Sequence, residues 1–217
     1  MQGSQKRATE TGSGFDPFAP LPLPDPSAGG KDGARRNQRL RRATILAITR
    51  QLLAENGCEG VTVREIARRS GFALQTIYNL VGPRDHAITD AISEYSLFVG
   101  RVASRQPGTD PLRRLVDTWM EAVQASPEFA RQCNMIMFTP SRHIYYRFRD
   151  IQIRGMTKLL RIEKKEGRLA QHSSPRKLAE QLVFYSTAVW VDWADRPGPI
   201  PELRERLLWG LLKLQRE

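Results

Sequence analysis

The sequence predicts an all-α protein of about nine helices, with a small N-terminal domain joined to a larger C-terminal one. From about residue 35 onward, apolar residues recur at helical spacing and glycine or proline pairs interrupt them. No sustained two-residue alternation of the kind typical of strands is present. The 217 residues are 40% hydrophobic, as in ordinary globular proteins, and no apolar run is long enough for a membrane span.

The first 34 residues are predicted to be a disordered tail that ends in a basic arm. Glycine, serine and proline dominate the tail, which offers little apolar surface to bury. Residues 31–42 hold six basic residues and one acidic residue, Asp32. The net charge of this segment is therefore nearly half of the formal net charge of the chain, which is +11. A basic segment of this kind either enters a DNA minor groove or only screens phosphates, and both alternatives stay open for Arg35, Arg36 and Arg39.

Three short helices follow, and local signals delimit them. The first carries an apolar face and ends at Asn56-Gly57, where glycine accepts the left-handed conformation. The second spans 63–69, and Thr62 and Glu65 have the spacing of a reciprocal capping box. Gly71 allows a sharp turn into the third helix, which ends at Gly82-Pro83. The pattern predicts a helix-turn-helix.

Downstream, six further helices are predicted between explicit breaks. The breaks are Pro107-Gly108, Pro127, Pro140, Gly167 and the run Pro197-Gly198-Pro199. The helices are expected near 84–104, 111–125, 127–138, 141–166, 175–193 and 201–215.

Residues 42–88 resemble the DNA-binding domain of the TetR family of transcriptional regulators. The resemblance lies in Ala43 to Gly57, in Thr62-Val63-Arg64-Glu65-Ile66-Ala67, and in the turn and helix from Gly71 through Tyr78. It implies a helix-turn-helix domain over 35–88 and a helical ligand-binding and dimerisation domain over 89–217. Leu74, Gln75, Leu80 and Val81 depart from the usual family residues, so the resemblance does not carry over an operator sequence.

In such a motif the third helix enters the major groove, and its exposed N-terminal residues face the bases. Leu74, Gln75, Tyr78 and Asn79 fall on one helical face. Glutamine and asparagine suit adenine, and leucine suits a thymine methyl group, so an A/T-containing half-site is expected. Further DNA contacts, mainly to phosphates, are predicted for Thr62, Arg64, Thr76, Tyr78 and Arg84. Arg64 is an alternative base contact.

The middle helices concentrate aromatic and methionine side chains, which form cores and also line adaptable apolar pockets. The predicted ligand-binding residues, including polar anchors, are Trp119, Met120, Phe129, Asn134, Met135, Phe138, Arg142, His143, Tyr145 and Phe148. Two apolar stripes in the last helices suit a dimer interface, with intramolecular packing as the alternative. They are Leu178, Leu182, Tyr185 and Val189, then Leu203, Leu207, Leu211 and Leu214.

The resulting hypothesis is a cytoplasmic, homodimeric DNA-binding regulator, a repressor that a small apolar ligand releases from a palindromic operator. The alternative is a helical protein-interaction module whose basic arm binds no specific DNA site. An enzyme is disfavoured because the sequence lacks a phosphate-binding glycine loop, a nucleophile elbow and a metal-ligand cluster. Neither a cofactor nor a metal is predicted, and Cys58 and Cys133 are too far apart to indicate a chelating pair.

Overall fold

The structure is a computed structural model that describes residues 15–22, 33–106, 110–169 and 173–216. Within these ranges the chain forms nine α-helices and one 3-10 turn, and it contains no strand. The helices are α1 (Gly33–Gly60), α2 (Val63–Ser70), α3 (Leu74–Val81), α4 (Arg84–Arg105), α5 (Pro111–Ala125), α6 (Pro127–Met135), α7 (Arg142–Lys165), α8 (Pro175–Asp195) and α9 (Ile200–Arg216), and the 3-10 turn Ile136–Phe138 follows α6. The predicted all-α fold of about nine helices is confirmed.

Two adjoining cores hold the helices together. The first buries the apolar faces of α1 to α4 with parts of α6 and α7, around side chains such as Ile66 and Ile77. The second buries facing side chains of α5, α7, α8 and α9, including Leu182 and Leu207. Trp119 packs against both cores. Because α6 and α7 contribute side chains to both cores, the helix-turn-helix and the C-terminal helices share an apolar interior.

The breaks after the first helices lie where the sequence indicates. Gly57, where a non-helical conformation interrupts α1, and Gly71, which follows α2, have φ angles of 65° and 69°. Glycine favours this region, so each allows the chain to change direction. The Thr62 hydroxyl accepts a hydrogen bond from the Glu65 amide at 3.1 Å, as one half of the capping box requires. The other half is absent, because the Glu65 carboxylate instead accepts hydrogen bonds from Arg68 and Arg69.

The N-terminal region differs from the predicted tail in two respects. Residues 15–22 pack against the helices, with Phe15 and Pro17 buried, so a disordered tail is wrong for this stretch. The basic arm is helical from Gly33 onward, because α1 begins there. The first buried side chain of α1 is that of Ala43. The exposed start of α1 therefore extends about 15 Å beyond the first core. Residues 1–14 and 23–32, with the rest of the predicted tail, lie outside the described residues.

None of the described helices is sufficiently long and apolar to cross a membrane.

Candidate DNA-binding face and effector cleft

The third helix presents an exposed face that combines polar and apolar side chains. Leu74 and Tyr78 are 44% and 49% exposed, although Ile77 and Val81 on the opposite side are buried in the first core. Gln75 donates a hydrogen bond to the Asn79 side-chain oxygen at 2.9 Å, and both residues are exposed. We call Leu74, Gln75, Tyr78 and Asn79 the reading face. All four lie together on the surface, with the Gln75 and Asn79 amides already oriented by each other.

The second helix carries a small ionic cluster that connects it to α1. Glu65 accepts hydrogen bonds from Arg68 at 2.6 and 2.8 Å and from Arg69 at 2.9 Å. The Arg68 and Arg69 guanidinium groups lower the pKa of Glu65 to about 2, so its carboxylate stays ionised at neutral pH. Arg69 also donates to Glu55 on α1 at 2.5 Å, which ties α2 to α1. Arg64 remains on the exposed side of the same helix.

Arg84, a predicted phosphate contact, is bound to the protein itself. Its guanidinium donates to the carbonyl of Val61 at 2.8 Å, to the carbonyl of Cys58, and to the Asp85 carboxylate at 2.6 Å. These bonds connect the beginning of α4 to the loop between α1 and α2. Arg84 therefore fixes the position of the helix-turn-helix relative to α4, and sequence reasoning did not anticipate this role.

The same junction extends to the C-terminal half through His143. The His143 imidazole lies 2.6 Å from Asp85, so Asp85 contacts both Arg84 on α4 and the first turn of α7. Nearby, Arg42 on α1 pairs with Asp90 at 2.8 Å and with Glu94. Ionic contacts therefore connect α1, α4 and α7 on the side of the molecule that carries the helix-turn-helix.

The basic arm contributes positive charge at the exposed end of α1. Arg35, Arg36, Arg39 and Arg41 are all exposed along these first turns. A helical arm presents its charges as a fixed array along a rod. Insertion of a flexible chain into the minor groove, one of the two alternatives, fits this helix less well than phosphate contact does.

A small, partly open cleft lies between α6, α7 and α8. Three of the predicted ligand residues, Asn134, Tyr145 and Phe148, line it. Sequence reasoning missed the other lining residues, namely Cys133, Ile136, Met137, Arg149, Gln152, Val183, Thr187 and Val191. The walls are mainly apolar, and Arg149 supplies a positive charge.

Arg149 is held among aromatic rings at this cleft. Its guanidinium carbon lies 5.2 Å from the centre of the Tyr146 ring and 5.9 Å from that of Phe184, and the side chain pairs with Asp150 at 3.1 Å. Stacking leaves guanidinium hydrogen-bond donors available to a ligand. The signal that could have revealed this residue is its place one turn after Tyr145 and Tyr146 in the aromatic start of α7.

The remaining predicted ligand residues lie elsewhere. Met120 and Phe129 are buried in the second and first cores, and Met135 packs against the second core. Trp119 lies between the cores with its ring 5.9 Å from that of Trp190. The structure places the other three on the surface: Phe138, Arg142 and His143. Of the predicted ligand residues, only Asn134 on α6 and Tyr145 and Phe148 on α7 line the cleft.

The predicted dimer stripes are buried within the protomer. Leu178, Leu182, Val189, Leu203, Leu207 and Leu211 belong to the second core, and Tyr185 and Leu214 pack against it. The structure thus favours the alternative, intramolecular packing of α8 on α9. On the outer side of these helices, Phe184 is 52% and Trp209 is 66% exposed.

The fold and the exposed reading face define a helix-turn-helix protein with an all-helical second domain. Comparison with known sequences shows which family the helix-turn-helix segment resembles. Residues 45–79 match the model of the family described as bacterial regulatory proteins, tetR family. This segment, which contains α2 and most of α3, therefore resembles the DNA-binding segment of that family.

One curated relative and several solved structures are also similar to this chain. The HTH-type transcriptional repressor KstR of Rhodococcus jostii (strain RHA1) is 30% identical over 87 residues, which are 40% of this chain and 41% of KstR. The chain thus aligns with less than half the length of that relative. FadR of Thermus thermophilus, solved in complex with lauroyl-CoA, has a TM-score of 0.61 and 18% identity over 80% of this chain and 92% of FadR.

Two further structures share the fold. FadR of Bacillus halodurans, a fatty acid degradation regulator, gives a TM-score of 0.59 at 19% identity, covering 79% of this chain and 96% of that one. SmeT, the repressor of a Stenotrophomonas maltophilia multidrug efflux pump, gives 0.55 at 16% identity, covering 80% and 87%. At these identities the likeness establishes the arrangement of helices.

Proposed function

We propose that the protein is a cytoplasmic transcriptional repressor that binds a palindromic operator as a homodimer and releases it when a small, largely apolar ligand occupies the cleft. The observation that carries this proposal is the reading face of α3, where Leu74 and Tyr78 are exposed beside the paired amides of Gln75 and Asn79. A protein gains nothing in stability from exposing such side chains. A DNA major groove offers them thymine methyl groups, adenine edges and phosphates.

The charge distribution supports DNA as the partner. The arginines at the start of α1 and exposed Arg64 add positive charge in the DNA-binding domain. Basic side chains that neutralise phosphates release counterions, so the affinity for DNA should fall steeply as the salt concentration rises. In a plot of log affinity against log salt concentration, each contacted phosphate should contribute a slope of about −0.9. A phosphate contact by Arg84 requires its guanidinium to donate hydrogen bonds to DNA as well as to the Val61 carbonyl. The partial exposure of the side chain allows this.

The exposed outer face of α8 and α9 is our candidate for the dimer interface. Phe184 and Trp209 supply its apolar part, and the ion pair of Asp192 with Arg206 at 2.7 Å joins the two helices beside it. One short recognition helix buries too little surface on DNA for tight binding. A two-fold dimer doubles the buried surface. The two reading faces would then lie about 34–36 Å apart, one turn of DNA.

The position of α7 supports release by a ligand. Tyr145 and Phe148 on this helix line the cleft, and His143, at its start, contacts Asp85 beside Arg84. A ligand that displaces α7 would therefore move the support of the helix-turn-helix, and a small tilt of α4 would misplace both reading faces. The acyl-CoA ligands of the FadR structures from Thermus thermophilus and Bacillus subtilis suggest an apolar chain with an anionic end. Arg149 suits that anionic end.

The experiment that tests DNA binding is capture of genomic fragments from the source genome by the purified protein, followed by gel-shift titration of the enriched fragment. We expect an enriched fragment that contains a palindrome. The double variant Gln75→Ala/Asn79→Ala should lose specific binding but retain its weak affinity for random DNA. Gln181→Ala, on the exposed side of α8, is the matched control. Absence of any enriched fragment at low salt would favour the protein-interaction alternative.

Ligand release is tested separately, with acyl-CoA thioesters of increasing chain length and apolar drugs added to the protein–operator complex. Tryptophan emission would follow binding, and Trp119→Phe would show which ring reports it. Linkage requires ligand and operator to weaken each other's binding by the same factor, typically about 5- to 150-fold. A ligand that saturates the cleft and leaves operator affinity unchanged would contradict the release mechanism.

A further inference from the structure

Residues 15–22 occupy a groove between α1, α4 and α6. Phe15 is buried and its ring meets that of Phe98 on α4 edge-to-face, with centroids 6.2 Å apart. Phe18 makes a similar contact with Phe129 on α6, also at 6.2 Å. The Tyr95 hydroxyl donates a hydrogen bond to the Phe15 carbonyl at 2.8 Å. The segment therefore contacts the groove through two aromatic side chains and through its main chain.

The groove contains a buried positive charge, Arg50 of α1, which is fully excluded from solvent. Its guanidinium donates to the carbonyls of Pro17 and Ala19, the latter at 3.0 Å, and makes a long bond of 3.5 Å to the carbonyl of Ala91. Burial lowers the pKa of Arg50 to about 10, which still leaves it charged at neutral pH. Two of these three acceptors come from residues 15–22. A buried guanidinium without acceptors is costly, so the groove is built for an occupant that supplies carbonyls.

Proline suits this arrangement. Pro17 has no amide hydrogen to leave unpaired against the guanidinium, and its fixed φ angle keeps the segment extended at a low entropic cost. Burial also raises the pKa of Tyr95, so its hydroxyl remains a donor to the Phe15 carbonyl across the physiological range. The site thus recognises an extended peptide by its carbonyls, with aromatic side chains on either side of a proline.

We propose that the groove between α1, α4 and α6 is a peptide-binding site whose ligand is the chain's own residues 15–22, and that its occupation fixes the helix-turn-helix domain against the C-terminal domain. Arg50 belongs to the helix that supports the helix-turn-helix, whereas Phe129 belongs to α6. Residues 15–22 therefore connect the helix-turn-helix domain to the C-terminal domain. This connection is far in sequence from the junction around Arg84 at the start of α4.

Helix α6 connects the peptide-binding groove to the cleft. Phe129 contacts the bound segment, and Cys133 and Asn134, one turn further along α6, line the cleft. Occupation of the groove therefore restrains α6, a wall of the cleft. The effect on operator release rests on the proposed function, but the occupation of the groove and its effect on α1 and α6 do not depend on it.

The test compares amide hydrogen exchange of the full chain with that of the double variant Phe15→Ala/Phe18→Ala. These substitutions remove the two aromatic contacts and leave the helices unaltered. We expect about fivefold faster exchange in α6 and in residues 46–53 of α1, with α8 and α9 unchanged. Pro22→Ala, an exposed position of the same segment, is the control and should exchange like the natural chain.

A synthetic peptide of residues 15–22, added in excess to the double variant, should restore slow exchange in α6 and α1. The same peptide should have no effect when Arg50→Gln is added to the variant. Unchanged exchange in the double variant would overturn the proposal. Equal acceleration in all helices would also overturn it, since the segment would then contribute only to global stability.

Discussion

The third and ninth helices both carry large apolar side chains, but they bury them to different extents. On α9, Leu203, Leu207 and Leu211 are all buried against α5 and α8. On α3, Leu74 and Tyr78 stay largely exposed on one side although Ile77 is buried on the other. Apolar spacing identifies a helix and a face in both cases. It does not say whether another helix of the same chain covers that face, and the short α3 carries more apolar surface than its core accepts.

The contrast predicts that neighbouring residues of α9 have very different effects on stability. Leu207→Ala should lower the free energy of unfolding by about 2–5 kcal/mol, because it leaves a cavity in the second core. Trp209→Ala, on the exposed side, should cost the protomer no more than about 0.5 kcal/mol. Chemical denaturation at low protein concentration measures both.

The same pair tests the proposed dimer interface. Trp209→Ala should shift the sedimentation of the protein toward the monomer as concentration falls. A conservative Leu207→Met should leave that concentration dependence as it is. A Trp209→Ala protein that remains fully dimeric would place the interface on another surface.

The junction between the domains gives the next largest effect. Arg84→Ala removes hydrogen bonds to the Val61 and Cys58 carbonyls and the contact with Asp85, and should lower the free energy of unfolding by about 1.5–3 kcal/mol. Because the helix-turn-helix then loses its fixed position on α4, binding to both operator and random DNA should weaken. His143→Ala, which removes only the outer contact to Asp85, should cost little stability. Equal losses for both variants would show that Arg84 is not the main link.

The boundaries of most helices could be predicted from the sequence because local chemistry determines them. Pro111 and Pro175 stand in the first turns of α5 and α8, where their missing amide hydrogens are harmless, and Gly71 and Gly167 adopt positive φ angles at turns. The third-helix reading face was predicted for the same reason, since the family motif and the helical period place its residues on one side.

Features that depend on contacts between distant segments were not predictable in this way. Residues 15–22 look disordered in isolation, because their order comes from buried Arg50 and the aromatic rings of α4 and α6. An arginine among the apolar residues of α1 was the available signal. In the C-terminal half, methionines and aromatics occur throughout, so composition cannot separate the cleft-lining Tyr145 from Phe129, which is in the core.

The reading face yields a prediction about DNA specificity. Gln75→Ala should cost about 1–3 kcal/mol of binding free energy on the operator and little on random DNA, because it removes the proposed base contact and frees the Asn79 amide from its intramolecular partner. Arg36→Ala should instead weaken both by similar amounts. Gel-shift titrations at two salt concentrations measure the difference. Equal losses on operator and random DNA for Gln75→Ala would make it a phosphate contact.

The smallest expected effect concerns the ionic cluster of α2. Arg68 and Arg69 hold the pKa of Glu65 at about 2, below the ordinary value of 4.5. A carboxylate whose pKa is lowered by folding contributes stability above the ordinary pKa, and this contribution is lost as the pH falls toward 2. Glu65→Gln should therefore be slightly less stable than the natural chain at pH 7, and the difference should shrink between pH 4.5 and 2. Because the cluster is exposed, 1 M salt should reduce the difference as well. Thermal unfolding followed by circular dichroism across this range measures it, with Glu205→Gln on the exposed side of α9 as the control. A difference that stays constant with pH would mean that the Glu65 side chain acts through its shape in α2 rather than through its charge.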